Sequence, residues 1–370
     1  EDHTNAAVVR FGKKPLTDGI NIIAAHMDSP CLTGKVNPIR EHPEGLVLDC
    51  YPYGGISKHQ WFDAPVTVVG TCVKKGTIIN FEIPGMVHDN TIHLVGEDLS
   101  KKSYVDAFDV ENLDVFIGYK DKKSFLDYLK KEVGIEEKDL ARTFLTAIPR
   151  GEAYDISDLY YTGFGQDDKV CCYAQLQALL DAKPDKTSIV LFLDREEIGS
   201  TGYNGAHAQF LEYVIDCIAQ SAGYDLNDVN LRRIYAKSSM ISADVDVAFN
   251  SLDTSYSQEE SAASFGDGLI IVRTNGGKYQ YMGNNVPMSV IDCFMELFDK
   301  QKVVYKISSM PPKANVGGGG TIATYYAHRG IPVVDMGIAI VNMHGKYSTI
   351  FWPDLYQMVK GFEAFFNSSH

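Results

Sequence analysis

The chain has 370 residues, with 34 Lys plus Arg against 48 Asp plus Glu and a formal net charge of −14. At roughly 150 residues per domain, that length predicts two or three domains and a substantial buried core. A composition 45% hydrophobic and 22% charged describes a soluble acidic globular protein and excludes both a disordered chain and a basic nucleic-acid binder.

Seven cysteines (Cys31, Cys50, Cys72, Cys171, Cys172, Cys217 and Cys293) are an odd number with no C-x-x-C pair, so a reducing, cytoplasmic location is expected. No apolar run approaches the roughly 18 residues that a membrane span needs, and the start has no signal-like apolar stretch. Glu1 rather than Met opens the sequence, as expected of a chain trimmed from a longer one.

In chain order, the first clear element is Gly19 to Met27, a β-branched apolar run that reads as a buried strand with polar residues at its end. From about Asn37 to Ile148 the texture is β-rich, with strands predicted at Pro65 to Lys74 and Gly76 to Ile83 and one helix at Lys122 to Val133. After Gly163 strand and helix alternate. Helices are predicted at Val170 to Asp181, Ala206 to Ala222, Met288 to Gln301, Thr321 to Gly330 and Asp354 to Phe366. Strands are predicted at Thr187 to Leu193, Met240 to Asn250, Leu269 to Thr274, Val303 to Ser308 and Val333 to Val341. The alternation predicts an α/β domain with a mostly parallel sheet, made of residues 1–36 and 150–370 and interrupted by a β-rich insertion at 37–149.

Ligands of open α/β sheets bind outside the carboxyl ends of the strands. Those ends deliver His26-Met27-Asp28, Asp194-Arg195-Glu196-Glu197, Ser242-Ala243-Asp244 and Asn342-Met343-His344-Gly345, and the loop before one helix delivers Gln166-Asp167-Asp168-Lys169. Singly each has a plain structural role: a turn, a charged helix start, or capping residues for Asp167-Asp168. Jointly, two histidines and several carboxylates at one sheet edge form the donor set of a divalent-metal site for zinc, manganese or cobalt. A shared Asp can bridge two ions, which together polarise a carbonyl and generate hydroxide near neutral pH. His26 and Asp28 share a strand face, as a ligand and its orienting carboxylate do. Glu196 and Glu197 diverge in direction, so one can coordinate while the other acts as general base.

Gly317 to Gly320 followed by Thr321 lacks the Lys of a phosphate loop. It is either a tight turn or a place where backbone N–H groups, at Gly318 and Gly319, meet substrate. Cys171 and Cys172 read as core residues rather than nucleophiles.

The stretches Ala24 to Pro30 (AAHMDSP), Tyr53-Gly54-Gly55-Ile56, Gly165 to Cys171 (GQDDKVC), Asp194 to Ser200 (DREEIGS), Ser242 to Val245 (SADV), Gly317 to Ala323 and Met343-His344 resemble the metallopeptidase family of aspartyl aminopeptidase and vacuolar aminopeptidase I. The resemblance covers nearly the whole chain. It implies a catalytic α/β domain interrupted by a β-rich dimerisation domain, with dimers assembled into a tetrahedral dodecamer. It implies that Asp167 bridges two metal ions, most simply zinc, that His26 and Asp244 complete one metal site and Glu197 and His344 the other, and that Glu196 is the general base. His93, in Thr91-Ile92-His93-Leu94, matches a histidine lent to a neighbouring subunit's active site; by its own residues it is equally a surface histidine.

The chain departs from the family where Val245-Asp246-Val247 follows Asp244 in place of a motif with a histidine three residues on, and where the family's N-terminal segment is largely absent. A basic residue facing an acidic substrate side chain would fall near Arg273, so acidic and neutral first residues both stay open. The expected function is a two-metal aminopeptidase acting on short peptides, with Glu196 and Asp28 supporting catalysis. Its rivals are a metal-dependent amidase or deacylase and a metal-free scaffold or binding shell. No nucleic-acid or membrane partner is expected.

Overall fold

A strand that is apolar on both of its alternating faces is stable only with packing on each side. Asn21–His26 is such a strand, and in the computed structural model all six of its residues are buried. The structure describes residues 4–250, 252, 258–274, 276–277, 280–281, 286–309 and 320–369. The chain divides into two compact units, Glu1–Asp28 with Tyr154–Met343 and Tyr347–His370, and Ser29–Ala153 with His344–Lys346. The units thus change over at 28/29 and 153/154, against the sequence estimates of 36/37 and 149/150.

The first unit is built on a seven-stranded sheet in the order Ala6–Arg10, Ser188–Leu193, Asn21–His26, Ser239–Ala243, Val333–Gly337, Leu269–Thr274, Tyr305–Ser309. The sheet is mixed, with four of its six strand pairings parallel. Ala6–Arg10 runs antiparallel along one edge, and Leu269–Thr274 is antiparallel to Val333–Gly337. The centre is parallel, with Ser188–Leu193, Asn21–His26, Ser239–Ala243 and Val333–Gly337 all pointing the same way.

Side chains alternate between the two faces of this sheet. Ile23, Ala25, Val190 and Ile241 pack on one side against the helices Gln166–Asp181 and Trp352–Phe366. Ile22, Ala24, Ile189, Leu191 and Met240 pack on the other against Phe210–Ser221 and Asp228–Lys237. The amide of Asn21 donates to the carbonyls of Phe365 (3.1 Å) and Ser368 (3.3 Å), tying the start of the central strand to the end of the last helix.

Element positions differ from expectation in specific ways. Asp228–Lys237 is a helix that the apolar pattern does not predict, because only Ile234 and Tyr235 are buried; its sequence signal is the cap, Asn227, whose side chain accepts from Asn230 N at 3.0 Å. The stretch expected as one strand at 240–250 is two, Ser239–Ala243 and Asp246–Val247, and the helix expected at 321–330 is only Ala323–Ala327. All seven cysteines are free thiols. Among the described residues no helix is long and apolar enough to cross a membrane.

The second unit is a closed antiparallel barrel in the order Cys31–His42, Gly45–Tyr53, Val115–Phe116, Thr77–Val87, Ala64–Lys74, Thr143–Pro149. Alternate residues of Ala64–Lys74, namely Ala64, Val66, Val68, Gly70 and Cys72, are buried, as barrel closure demands. At Gly70 a side chain would meet the ring of Phe81 at 2.2 Å, so only glycine fits. Lys75 and Gly76, both at positive φ, close the hairpin to Thr77–Val87.

Asp139, fully buried in this unit, accepts from Lys74 Nζ (2.9 Å), from Glu136 N (2.9 Å) and from the Arg142 guanidinium. Lys74 first, then the Glu136 amide and Arg142, hold its carboxyl well below the usual carboxylate range. A depressed carboxyl stabilises the fold above its unfolded pKa of about 3.9, and that contribution is lost as pH falls through the folded value. Asp139→Asn is therefore expected to lower the melting temperature near neutral pH, with the gap to the native chain closing below about pH 4. Thermal melts across that range check this, and a gap that does not depend on pH would contradict it.

Candidate metal centre

The parallel register sets the site. Leu193 lies opposite His26, and Ser242 opposite Ala24, so three neighbouring strands end together and release Asp194, Met27 and Asp244 on one side. The His26 ring is 2% exposed. Its Nε2 lies 3.2 Å from Asp167 Oδ1, 3.8 Å from Asp244 Oδ1 and 3.9 Å from Glu196 Oε2. Its Nδ1 lies 3.0 Å from the backbone oxygen of Asp28 and 3.4 Å from Asp28 Oδ1.

Asp28 also fixes the next segment. Its two carboxylate oxygens accept from Glu196 N (3.2 Å) and Glu197 N (3.1 Å). These glutamates sit in one 3₁₀ turn, Glu196–Ile198, bracketed by left-handed residues at Arg195, Gly199 and Ser200. Asp167 and Asp168 lie at the start of the helix Gln166–Asp181 with non-helical backbone angles, and the peptide between them is cis. They break the first turn, and Asp168 Oδ2 accepts from His26 N at 3.3 Å.

Burial by itself would lower the His26 pKa, but Asp167 and Asp28 at hydrogen-bond distance, backed by Asp244 and Asp168, hold the ring well above its ordinary value. Burial raises the carboxyls of Asp168 and Asp244 well above the usual range, and neighbouring aspartates raise them further. Such a cluster of buried like charges is what a divalent cation neutralises. Two overlapping donor groups, His26–Asp168–Asp244 and His26–Asp167–Glu197, each have their ligand atoms within 4.8 Å of one another. One imidazole with carboxylates is a donor set that suits zinc. The thiols do not enter it: Cys172 Sγ donates to His26 O at 3.1 Å, and burial pushes both Cys171 and Cys172 up, as core residues.

The structure thus brings His26, Asp28, Asp167, Glu196, Glu197 and Asp244 together. Asp168 joins them in one of the donor groups; the sequence delivers it in the same acidic run as Asp167, with a helix cap as its plain alternative. His344, at φ +60°, belongs to the barrel unit, where its backbone oxygen accepts from Ser57 N at 3.4 Å. His93 is exposed in the helix Ile92–Leu99, also in the barrel unit. Arg273 is exposed in the strand Leu269–Thr274 of the first unit. Gly318 and Gly319 lie outside the described residues.

Carboxylates and an imidazole gathered at the carboxyl ends of parallel strands define a metal-dependent hydrolase class of site. The family model described as "Aminopeptidase I zinc metalloprotease (M18)" matches residues 3–366, and the chain belongs to that family. A "Probable M18 family aminopeptidase 1" of Clostridium acetobutylicum is 32% identical over 97% of this chain and 81% of its own. The crystal structure of an M18 aminopeptidase from Thermotoga maritima superposes with a TM-score of 0.90 at 28% identity, covering 98% of this chain and 86% of that one. The structure of the S. cerevisiae mApe1 dodecamer shares the fold, with a TM-score of 0.73 at 20% identity over 98% of this chain and 83% of that one. The protein is a metallo-aminopeptidase of the zinc metalloprotease type, which favours peptide hydrolysis over the deacylase and scaffold alternatives.

Removing the charge that orients His26 and accepts from both glutamate amides is expected to loosen the metal. Asp28→Asn should weaken zinc affinity by about 10- to 100-fold, as read by competition with a chromogenic chelator. Native affinity in that variant would remove Asp28 from the centre.

Proposed function

We propose that the protein is a two-zinc aminopeptidase that removes the N-terminal residue of short peptides. The observation that carries this reading is the pair of overlapping donor triads around His26. In it, Asp167, His26 and Asp244 would hold one ion, and Asp167, Glu197 and, on family resemblance alone, His344 the other; Asp168, whose Oδ2 accepts from His26 N, would be a further donor beside the first. Zinc bound there supplies a Lewis acid for the scissile carbonyl and its developing oxyanion, and lowers the pKa of bound water.

The chain's own groups do the rest. Glu196 takes a proton from the attacking water and returns it to the leaving amine, a role consistent with its Oε2 standing 3.9 Å from His26 Nε2. Asp28 keeps His26 in one orientation through Nδ1 and holds the glutamate turn by two amides. The remaining carboxylates favour the free ammonium of a peptide's first residue, which selects exo- over endo-cleavage. Arg273, Gly318, Gly319 and His93 are proposed as substrate contacts, the last from a neighbouring subunit. Dimerisation through the barrel unit, assembly into a tetrahedral dodecamer and a cytoplasmic location complete the reading, the dodecamer being the state of the structurally similar mApe1.

Glu196→Gln is expected to retain zinc and lower kcat by about 10²- to 10⁴-fold; native turnover in the metal-loaded variant would sink the assignment of the base. Profiling a panel of aminoacyl substrates on the native enzyme and on Arg273→Ala tests the specificity residue, with a selective loss of acidic substrates expected. Light scattering tests the assembly, for which a mass twelve times the 41.0 kDa chain is expected.

A further inference from the structure

Asp28 holds the turn that carries Glu196 and Glu197 through the amides of those two residues. Its entry, Asp194, is held by a different device. Asn5 Oδ1 accepts from Asp194 N at 3.0 Å, and Asn5 Nδ2 donates to Asn204 O at 2.7 Å. Asn204 Nδ2 in turn donates to Asp194 Oδ2 at 2.7 Å and to Thr4 Oγ1 at 2.8 Å. The three residues close a ring of hydrogen bonds, Asn5 to Asn204, Asn204 to Asp194 and Asp194 back to Asn5. Asn204 is 5% exposed, so water competes little for its amide.

The partners come from opposite ends of the local chain. Asn5 immediately precedes the strand Ala6–Arg10, which pairs antiparallel with Ser188–Leu193, and Ala6 lies opposite Phe192, two residues before Asp194. Asn204 lies beyond the turn, in the segment that Arg329 secures by donating to the carbonyls of Ala206 and Ala208. On the far side of the turn, the Tyr325 hydroxyl donates to Gly199 O at 2.9 Å. Entry and exit of the glutamate turn are therefore both pinned to elements that contribute nothing to the donor set.

We infer that Asn5 and Asn204 are positioning residues for the Glu196–Glu197 turn: their hydrogen-bond ring with Asp194 sets where the general base stands. The inference rests on the proposed role of Glu196. A misplacement of about 1 Å at a reacting group costs on the order of 10²-fold in rate, so a ring of short bonds two residues before the base matters to turnover more than to overall folding. Both asparagines act on one element, so losing either opens the same ring.

The test compares Asn5→Ala, Asn204→Ala and the double variant with Glu196→Gln, all loaded with zinc. Zinc affinity is measured by chelator competition and kcat is normalised to bound zinc. Each single variant is expected to lower kcat at least about tenfold with KM within about twofold of native. The double variant should lose little more than either single one, because the two changes break one ring. Zinc affinity should fall by less than in Asp28→Asn, since the ring reaches Glu197 only through the backbone at Asp194, whereas Asp28 touches both His26 and the glutamate amides. Native kcat per bound zinc in both single variants, or losses that simply multiply in the double variant, would overturn the inference. If Glu196→Gln itself keeps native turnover, it is the assignment of the base that fails. If a variant melts below the assay temperature, kcat per bound zinc of that variant and of the native enzyme is compared at a temperature below its melt, under the same criteria.

Discussion

Everything in the catalytic unit is arranged around an electrostatic conflict: one buried imidazole is surrounded by the carboxylates of Asp28, Asp167, Glu196 and Asp244 within 3.9 Å, with Asp168 on its backbone amide. Without a cation such a cluster opposes folding, since burial and mutual repulsion both disfavour the charged carboxylates and drive Asp168 and Asp244 toward protonation. Binding of a dication reverses the sign of each of these contributions. The free energy of metal binding is then in part free energy of folding the strand ends. A site of this kind must be built on rigid elements, and it stands on the best-covered strand of the sheet.

The glutamate turn beside that strand is held by hydrogen bonds to its backbone. Arg195 and Ser200 are non-glycine residues held left-handed, at about 1–2 kcal/mol each. Hydrogen bonds to a charged acceptor contribute about 1.5–3 kcal/mol each, and Asp28 accepts two at the glutamate turn. The strain and the bonds that offset it are of the same size. Asp28 therefore offsets the strain of the turn while it also stands against His26 Nδ1, so one carboxylate serves both Glu196–Ile198 and the imidazole.

Much of this was legible in the sequence, for identifiable reasons. His26, Asp28, Asp167, Glu196, Glu197 and Asp244 could be picked out because strand ends and short acidic clusters are local features, and parallel strands bring their ends together whatever their order. The central strand was visible as an uninterrupted apolar run because both its faces are covered. The edge strand Ala6–Arg10 was not visible, because AAVVR is short and half-exposed. The direction of Leu269–Thr274 was hidden too, since nothing in a buried run such as LIIV encodes whether its neighbour runs with it or against it. Asp168 stays ambiguous in the sequence because capping and coordination draw on the same residue types, and only the broken first turn of Gln166–Asp181 separates the two roles.

The chain leaves the catalytic unit at Asp28 and re-enters it at Tyr154, twelve residues ahead of Gln166. The last residue before the insertion is thus the one that stands against His26 Nδ1, and its place has to be fixed from within the first unit. Asp28 meets this demand with three anchors within its own unit: its carbonyl and one carboxylate oxygen at His26 Nδ1, and both carboxylate oxygens at the amides of Glu196 and Glu197. Those bonds tie residue 28 to His26 at the end of one strand and to the 3₁₀ turn that follows Ser188–Leu193. The His26 ring is then referenced to strand ends of its own unit, although the 125-residue excursion from Ser29 to Ala153 begins three residues after it.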